Sequence, residues 1–249
     1  SRWHDASMKS FGMLSLILFF AFGASANDLL KFDFPIYQNK PAGKQVGGNR
    51  EAASTPALSP EAAQRQFTVP EGFEVRLFAA EPMVVNPVTM TWDERGRLWV
   101  LELYEYPSGA PEGTKGRDRI KILEDTDADG RADKVHVWAD GMSLATGLIL
   151  GDGGAYVGQA PHLLHLKDTD GDDRADSREI VMTGFGLEDR HELLNGFTWG
   201  PDGYLYMTHG VFTHSKVKNP DDPNDDGVIM NAAVARFHPR TKKFEVFAD

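Results

Sequence analysis

GFTWGPDGYLYMTHG, residues 196–210, decides the fold. Apolar and aromatic residues flank Gly200-Pro201-Asp202-Gly203, a turn signal that reverses the chain between two strands. The design occurs twice upstream. TMTWDERGRLWVLEL (89–103) sets D-E-R-G between two apolar runs, and LILGDGGAYVGQ (148–159) sets G-D-G-G there. With the second runs in register, Val100, Val157 and Met207 align at spacings of 57 and 50 residues.

A second hairpin follows each copy. RIKIL (119–123) and KVHVWA (134–139) flank one acidic turn, and HLLHL (162–166) and REIVMTG (178–184) flank another. VARFHP (234–239) and KFEVFA (243–248) flank a plain turn. No long helical period interrupts the series. Four antiparallel strands recurring every 45–60 residues predict propeller blades rather than a sandwich. The expected fold is all-β: a partial β-propeller of about three blades, at 85–140, 144–185 and 195–249. GFEVRLFAAEP (72–82) alternates apolar and polar residues and is expected to supply a strand to a further blade. Trp92, Trp99, Trp138 and Trp199 are expected to pack between blades.

The 249 residues carry 26 Lys and Arg against 37 Asp and Glu, a net charge of −11. That balance excludes a nucleic-acid partner, because phosphate binding needs basic patches. The absence of cysteine removes disulfides, thiolate ligands and a CxxCH haem attachment from these residues. Met8-Lys9, the apolar run 12–23 and Ala24-Ser25-Ala26 read as a signal peptide, so 1–26 are upstream residues plus that segment. The run is short of the ~20 residues a membrane span needs, although an uncleaved anchor is compatible with it. An exported, periplasmic or cell-envelope location follows. Residues 27–66 read as a flexible linker with one short helix at Pro60–Gln66, and 67–249 as the β domain.

DTDADGRAD (125–133) and DTDGDDRAD (168–176) are nearly one sentence written twice. Asp125, Asp127, Asp129 and Asp133 stand at positions 1, 3, 5 and 9 of the first loop. Asp168, Asp170, Asp172 and Asp176 do so in the second, with Glu179 at position 12. Alternate oxygens on a tight turn suit Ca2+, a hard cation that takes six to eight of them. The first loop has His136 at position 12, and the second has Asp173 where the first has Gly130. Each uncompensated carboxylate pair a few ångströms apart costs about 1 kcal/mol even in water. The stretch 221–226 has the wrong spacing for a metal loop.

DRHELLNGFTWGPDGYLYMTHGVFTHSKVKNP, GVIMNAAVARFHPRTKKFEVFA and the DTDADGRADK hairpin together resemble an exported bacterial membrane-bound dehydrogenase-like family. More distantly they resemble the quinoprotein glucose/sorbosone dehydrogenase propellers, which implies that the partial β-propeller is a six-bladed, TolB-like one. The resemblance implies an oxidoreductase acting on a sugar or alcohol with pyrroloquinoline quinone (PQQ), and haem c in regions beyond these residues. It implies His191 as the general base, with Asn195 and Asp189 orienting it. Imidazole chemistry fits that role. Two alternatives stand: a non-catalytic glycan- or protein-binding propeller, and a metal-dependent lactonase-like hydrolase. His162 and His165, three apart on a strand, face opposite ways and make a poor metal pair. His209 and His214 are candidates to join His191 around a channel.

Overall fold

The computed structural model describes residues 57–249. The expected signal peptide and residues 27–56 of the expected linker lie outside them. The chain divides into two units, 1–75 and 76–249. In the first, α1 (Pro60–Gln64) falls within the stretch read as a short helix. Ser59 caps it, its Oγ accepting from the Ala62 amide at 3.2 Å, and Pro60 starts it without losing a bonded N–H. No helix among the described residues is long and apolar enough to cross a membrane.

The second unit is built of strands. Sheet one is the meander β1 (Pro87–Trp92), β2 (Leu98–Glu102), β3 (Asp118–Glu124) and β4 (Lys134–Met142). Sheet two is β5 (Ala145–Gly151), β6 (Gly154–Gln159), β7 (His162–Lys167) and β8 (Ser177–Thr183). Sheet three starts with β9 (Asn195–Trp199) and β10 (Leu205–Thr208). A two-stranded ribbon, β11 (Ser215–Val217) and β12 (Val228–Met230), intervenes before β13 (Val234–His238) and β14 (Lys243–Ala248) complete the sheet. Every pairing is antiparallel.

The turns explain the meanders. Asp152 and Gly153 have φ of 50° and 76° between the paired Gly151 and Gly154, so both central residues are left-handed as a two-residue I′ hairpin requires. The first hairpin of each sheet also carries one recurring bond. Asp93 accepts from the Trp99 indole at 3.0 Å, Asp152 from the Tyr156 hydroxyl at 2.7 Å and Asp202 from the Tyr206 hydroxyl at 2.9 Å. A turn aspartate thus fixes an aromatic on the second strand in all three sheets.

The core lies between sheets. Trp99, Leu101, Ile120, Ile122 and Trp138 of sheet one pack against Leu148, Val157, Leu164 and Leu166 of sheet two. Tyr156, Leu163 and Met182 of sheet two pack against Leu205, Met207, Ala235 and Phe237 of sheet three. Each large side chain so buried contributes roughly 1.5–3 kcal/mol. Trp99 and Trp138 are buried as expected of packing residues, Trp199 is half-buried, and Trp92 is exposed.

This architecture corrects the expected six-bladed propeller. The described residues form separate four-stranded antiparallel sheets plus one ribbon, and no sheet closes or curls into a ring. A four-strand meander satisfies its own inner hydrogen bonds and buries its faces against the next sheet. Hairpin recurrence therefore specifies discrete packed sheets and carries no information on ring closure. The strand expected at 72–82 is absent as well: 73–80 have no assigned strand. Phe78, Ala79, Met83 and Val84 instead lie over Leu98, Val100 and Leu123 of sheet one.

Candidate metal-binding loops

Both acidic loops join the third and fourth strands of their sheets. In the first, Asp125 accepts from the Gly130 amide at 2.8 Å and the Asp129 amide at 3.2 Å. In the second, Asp168 accepts from Asp173 at 2.9 Å and Gly171 at 2.7 Å. The residue at position 2 closes each loop: the Thr126 hydroxyl donates to Asp133 at 2.7 Å and Thr169 to Asp176 at 2.6 Å. Positions 4 and 6 are left-handed in both, at Ala128 (φ 62°) and Gly130 (φ 89°), and at Gly171 (φ 82°) and Asp173 (φ 63°).

The folding of each loop gathers carboxylates. Asp125, Asp127 and Asp133 bring one oxygen each within 4.8 Å of one another, as do Asp168, Asp170 and Asp172. Asp168 is held below the usual carboxylate range: slight burial works to raise it, but the amides of Gly171, Asp173 and Asp172 outweigh that. An all-oxygen, anionic donor set fits Ca2+ and lacks the nitrogen and sulfur that favour zinc. Asp129, Asp176 and Glu179 are not drawn into these groups. Asp129 accepts from the Arg131 amide at 2.8 Å, and both Asp176 oxygens are taken by Thr169. Glu179 lies on β8 and accepts from Lys242 at 2.7 Å. Position 12 fails for a physical reason: the chain after position 9 runs out along an extended strand, whereas a helix would bring that residue back.

Each loop is docked on its neighbour. The Ala175 amide donates to the Trp138 carbonyl of β4 at 2.7 Å, and the Ala132 amide to the Phe78 carbonyl at 2.8 Å. Asp173 adds an ion pair. Its carboxylate accepts from Arg97 at 2.9 Å, and Arg97 in turn donates to Asp93 at 2.8 Å. Arg97 and Asp93 are buried, and Arg97 holds the Asp173 carboxyl below its ordinary range. Arg97, Trp99, Asp168 and Asp173 line a cavity of about 460 Å³ between sheets one and two.

The implied catalytic group is not assembled as a triad. His191 is exposed, its Nδ1 lies 3.0 Å from Asp189, and its ring stands edge-on to Tyr106. Asn195 is engaged elsewhere, donating to the Leu193 carbonyl at 2.8 Å and accepting from Thr208 at 2.8 Å. His209 is buried, its Nδ1 3.2 Å from both the Thr213 and Ser215 hydroxyls, and burial pushes its pKa down. His162 meets Thr183 at 2.8 Å while His165 stacks on Tyr156, so the two serve different surroundings. Among the described residues, the groups of three or more potential ligands are the two aspartate sets, not these histidines.

Sequence reading missed a buried acidic network. Glu102 is fully buried and accepts from Val85 N, Lys121, Arg119 and Tyr104 at 2.6–2.9 Å. Burial works to raise its pKa, but those donors pull it down. Asp118 accepts three amides, from Tyr104 (2.6 Å), Glu105 (2.9 Å) and Ala145 (3.1 Å), and there burial prevails and raises the pKa. The signal was the charge inside E-L-Y-E (102–105) and R-D-R-I-K (117–121), written into otherwise apolar strands. With every oxygen occupied by the chain's own donors, the network positions the 103–117 loop.

Comparison with known proteins corrects the functional resemblance. No curated protein matches the chain. One solved structure, a luciferin-regenerating enzyme, is 13% identical with a TM-score of 0.37, over 66% of this chain and 45% of its own length. The chain thus spans under half of that structure, and a likeness so weak carries no argument. Nothing here supports a membrane-bound dehydrogenase-like or quinoprotein assignment, and the oxidoreductase reading falls with it. A family model does match residues 59–249, most of the chain. The chain belongs to the family described as Domain of unknown function (DUF7133).

Proposed function

We propose that this is an exported, non-catalytic binding domain whose two acidic loops take up Ca2+. One observation carries the reading: the same loop, written twice, gathers three aspartate oxygens within 4.8 Å on two separate sheets. Clustered carboxylates repel, and a divalent cation converts that cost into a crosslink between the third and fourth strands. Each loop is bonded to the element before it, so the cation also steadies that contact. The first loop would use Asp125, Asp127 and Asp133, and the second Asp168, Asp170 and Asp172, with backbone carbonyls and water completing the shell.

Thermal unfolding tests this. Calcium should raise the midpoint of chelator-treated protein, and magnesium at equal concentration should do so less, because Mg2+ demands a smaller, near-octahedral shell. At a hundredfold excess over Kd each site should add about 2.7 kcal/mol. An unchanged midpoint with calcium would refute the reading.

A further inference from the structure

Trp138 carries a donor that the chain itself does not use. Opposite β3, β4 has one residue too many: Ile120 pairs with Ala139 and Lys121 with Val137, so Trp138 is the extra residue of a β-bulge. The bulge recurs in sheet two, where Leu163 pairs with Met182 and Leu164 with Ile180, and Val181 is the extra residue. Val181 is 2% exposed, so a side chain without a polar atom meets the packing need at this position. Trp138 is 3% exposed, stands edge-on to Trp99 at 4.7 Å and lines the cavity between sheets one and two. Trp99 donates its indole N–H to Asp93, and Trp199 donates to the Leu150 carbonyl. Among the described residues none accepts from the Trp138 indole, although a buried indole N–H ordinarily finds an acceptor. The sealed, unpartnered side-chain nitrogens among those residues are Nε2 of His136 and of His209, so the Trp138 nitrogen is reached from the cavity it lines.

The cavity, about 460 Å³, has the size of a small-molecule site, about 300–1,000 Å³. Its wall is of mixed sign: Asp93, Glu94, Asp168 and Asp173 supply carboxylates, and Arg95 and Arg97 supply guanidinium groups. Arg97 donates from Nε to Asp93 and from Nη1 to Asp173, and its Nη2 has no acceptor among the described residues. Donors on Trp138 and Arg97 therefore share one space with the exposed Glu94 carboxylate. A ligand that meets both must accept and donate, as a hydroxyl does. A free phosphate or carboxylate would face four carboxylates, and an amine offers Trp138 and Arg97 no acceptor. A neutral polyhydroxyl compound meets every group. Between sheets two and three a cavity of about 550 Å³ is lined by Trp199 and Arg240, but there the indole N–H is already bonded within the chain.

We infer that the cavity between sheets one and two binds a neutral saccharide, one hydroxyl accepting from the Trp138 indole N–H and a neighbouring one donating to Glu94. This rests on the reading of the chain as a binding domain, whose ligand class it names, and not on calcium uptake.

NMR spectra of the tryptophan indole N–H groups of the 249-residue protein test it. Trp138→Phe keeps an aromatic ring, removes the N–H and so identifies the Trp138 signal. Maltose, cellobiose, lactose, xylobiose and N,N′-diacetylchitobiose are each added to about 10 mM, tenfold above a millimolar Kd. At least one should move the Trp138 signal and leave that of Trp199 in place. For that sugar, calorimetry should show binding weakened about tenfold by Trp138→Phe, the loss of one hydrogen bond. Glu94→Ala, at an exposed position, should weaken it similarly with unchanged circular dichroism, and Arg240→Ala should leave it unaltered. Inorganic phosphate should not bind. Spectra are recorded in chelator and in calcium, and calcium uptake is titrated separately, so calcium uptake without a saccharide response would sink this inference alone. A Trp138 signal that none of the sugars moves, sugar binding that survives both Trp138→Phe and Glu94→Ala, or phosphate binding in the cavity would overturn it.

Discussion

The two acidic loops share a backbone and differ at two positions, 4 and 6, of which position 6 changes what the loop contacts. In each, an aspartate at position 1 accepts the amide of position 6, a threonine closes on position 9, and the amide of position 8 docks on the preceding element. At position 6 the first loop has Gly130 and the second Asp173. That aspartate reaches Arg97 and thereby the buried Asp93, tying loop two to sheet one through charge. The third clustered carboxylate differs too, Asp133 in one loop and Asp172 in the other. Repetition of sequence preserved the carboxylate cluster, and the aspartate at position 6 makes the second loop a sheet clamp as well.

The largest effect should come from breaking the clamp. Arg97→Met leaves Asp93 buried without its cation and should cost about 3–5 kcal/mol in urea unfolding. Calcium binding by loop one should survive in the folded fraction. Asp125→Asn and Asp168→Asn should each remove one cation's stabilisation, about 2.7 kcal/mol at a hundredfold excess over Kd, and nothing comparable in chelator.

Acid separates the loops further. Asp173 is held low by Arg97. Asp93 is also held low: burial works to raise it, but Trp99 and Arg97 outweigh that. Both contribute stability above the ordinary carboxylate pKa of about 4 and lose it as pH falls through their depressed folded values. Sheet-one-to-sheet-two docking, followed by hydrogen exchange at the Ala175 amide, should hold at pH 5 and fail well below pH 4, with Asp173→Gly abolishing part of that dependence.

The smallest effects lie in the backbone. Gly130→Ala should cost about 1 kcal/mol at φ 89°, since only ordinary contacts surround an added Cβ. Ala128→Gly, relieving a left-handed alanine at φ 62°, should change stability by less, with strain relief set against the added freedom of the unfolded chain.

How much of this was legible follows from range. The hairpins were, because turn residues and alternation are local: G-P-D-G brackets β9 and β10, and D-G joins β5 and β6. So was the gathering of Asp125 with Asp127 and Asp168 with Asp170, which alternate spacing dictates. Ring closure was not, because it depends on sheets meeting far apart in sequence. The β11–β12 ribbon escaped notice because three-residue strands such as Ser215–Val217 offer too little alternation to read. The Asp173–Arg97 pair spans 76 residues, and no local pattern announces it. Position 4 was overlooked because Ala128 hides, behind an ordinary side chain, the left-handed turn that Gly171 declares.

Calorimetric titration of metal-free protein with calcium tests the central claim most directly. The account predicts two sites, with Asp125→Asn abolishing one, Asp168→Asn the other, and the double variant silent. No heat from wild type, or a titration that both substitutions leave unchanged, would contradict it.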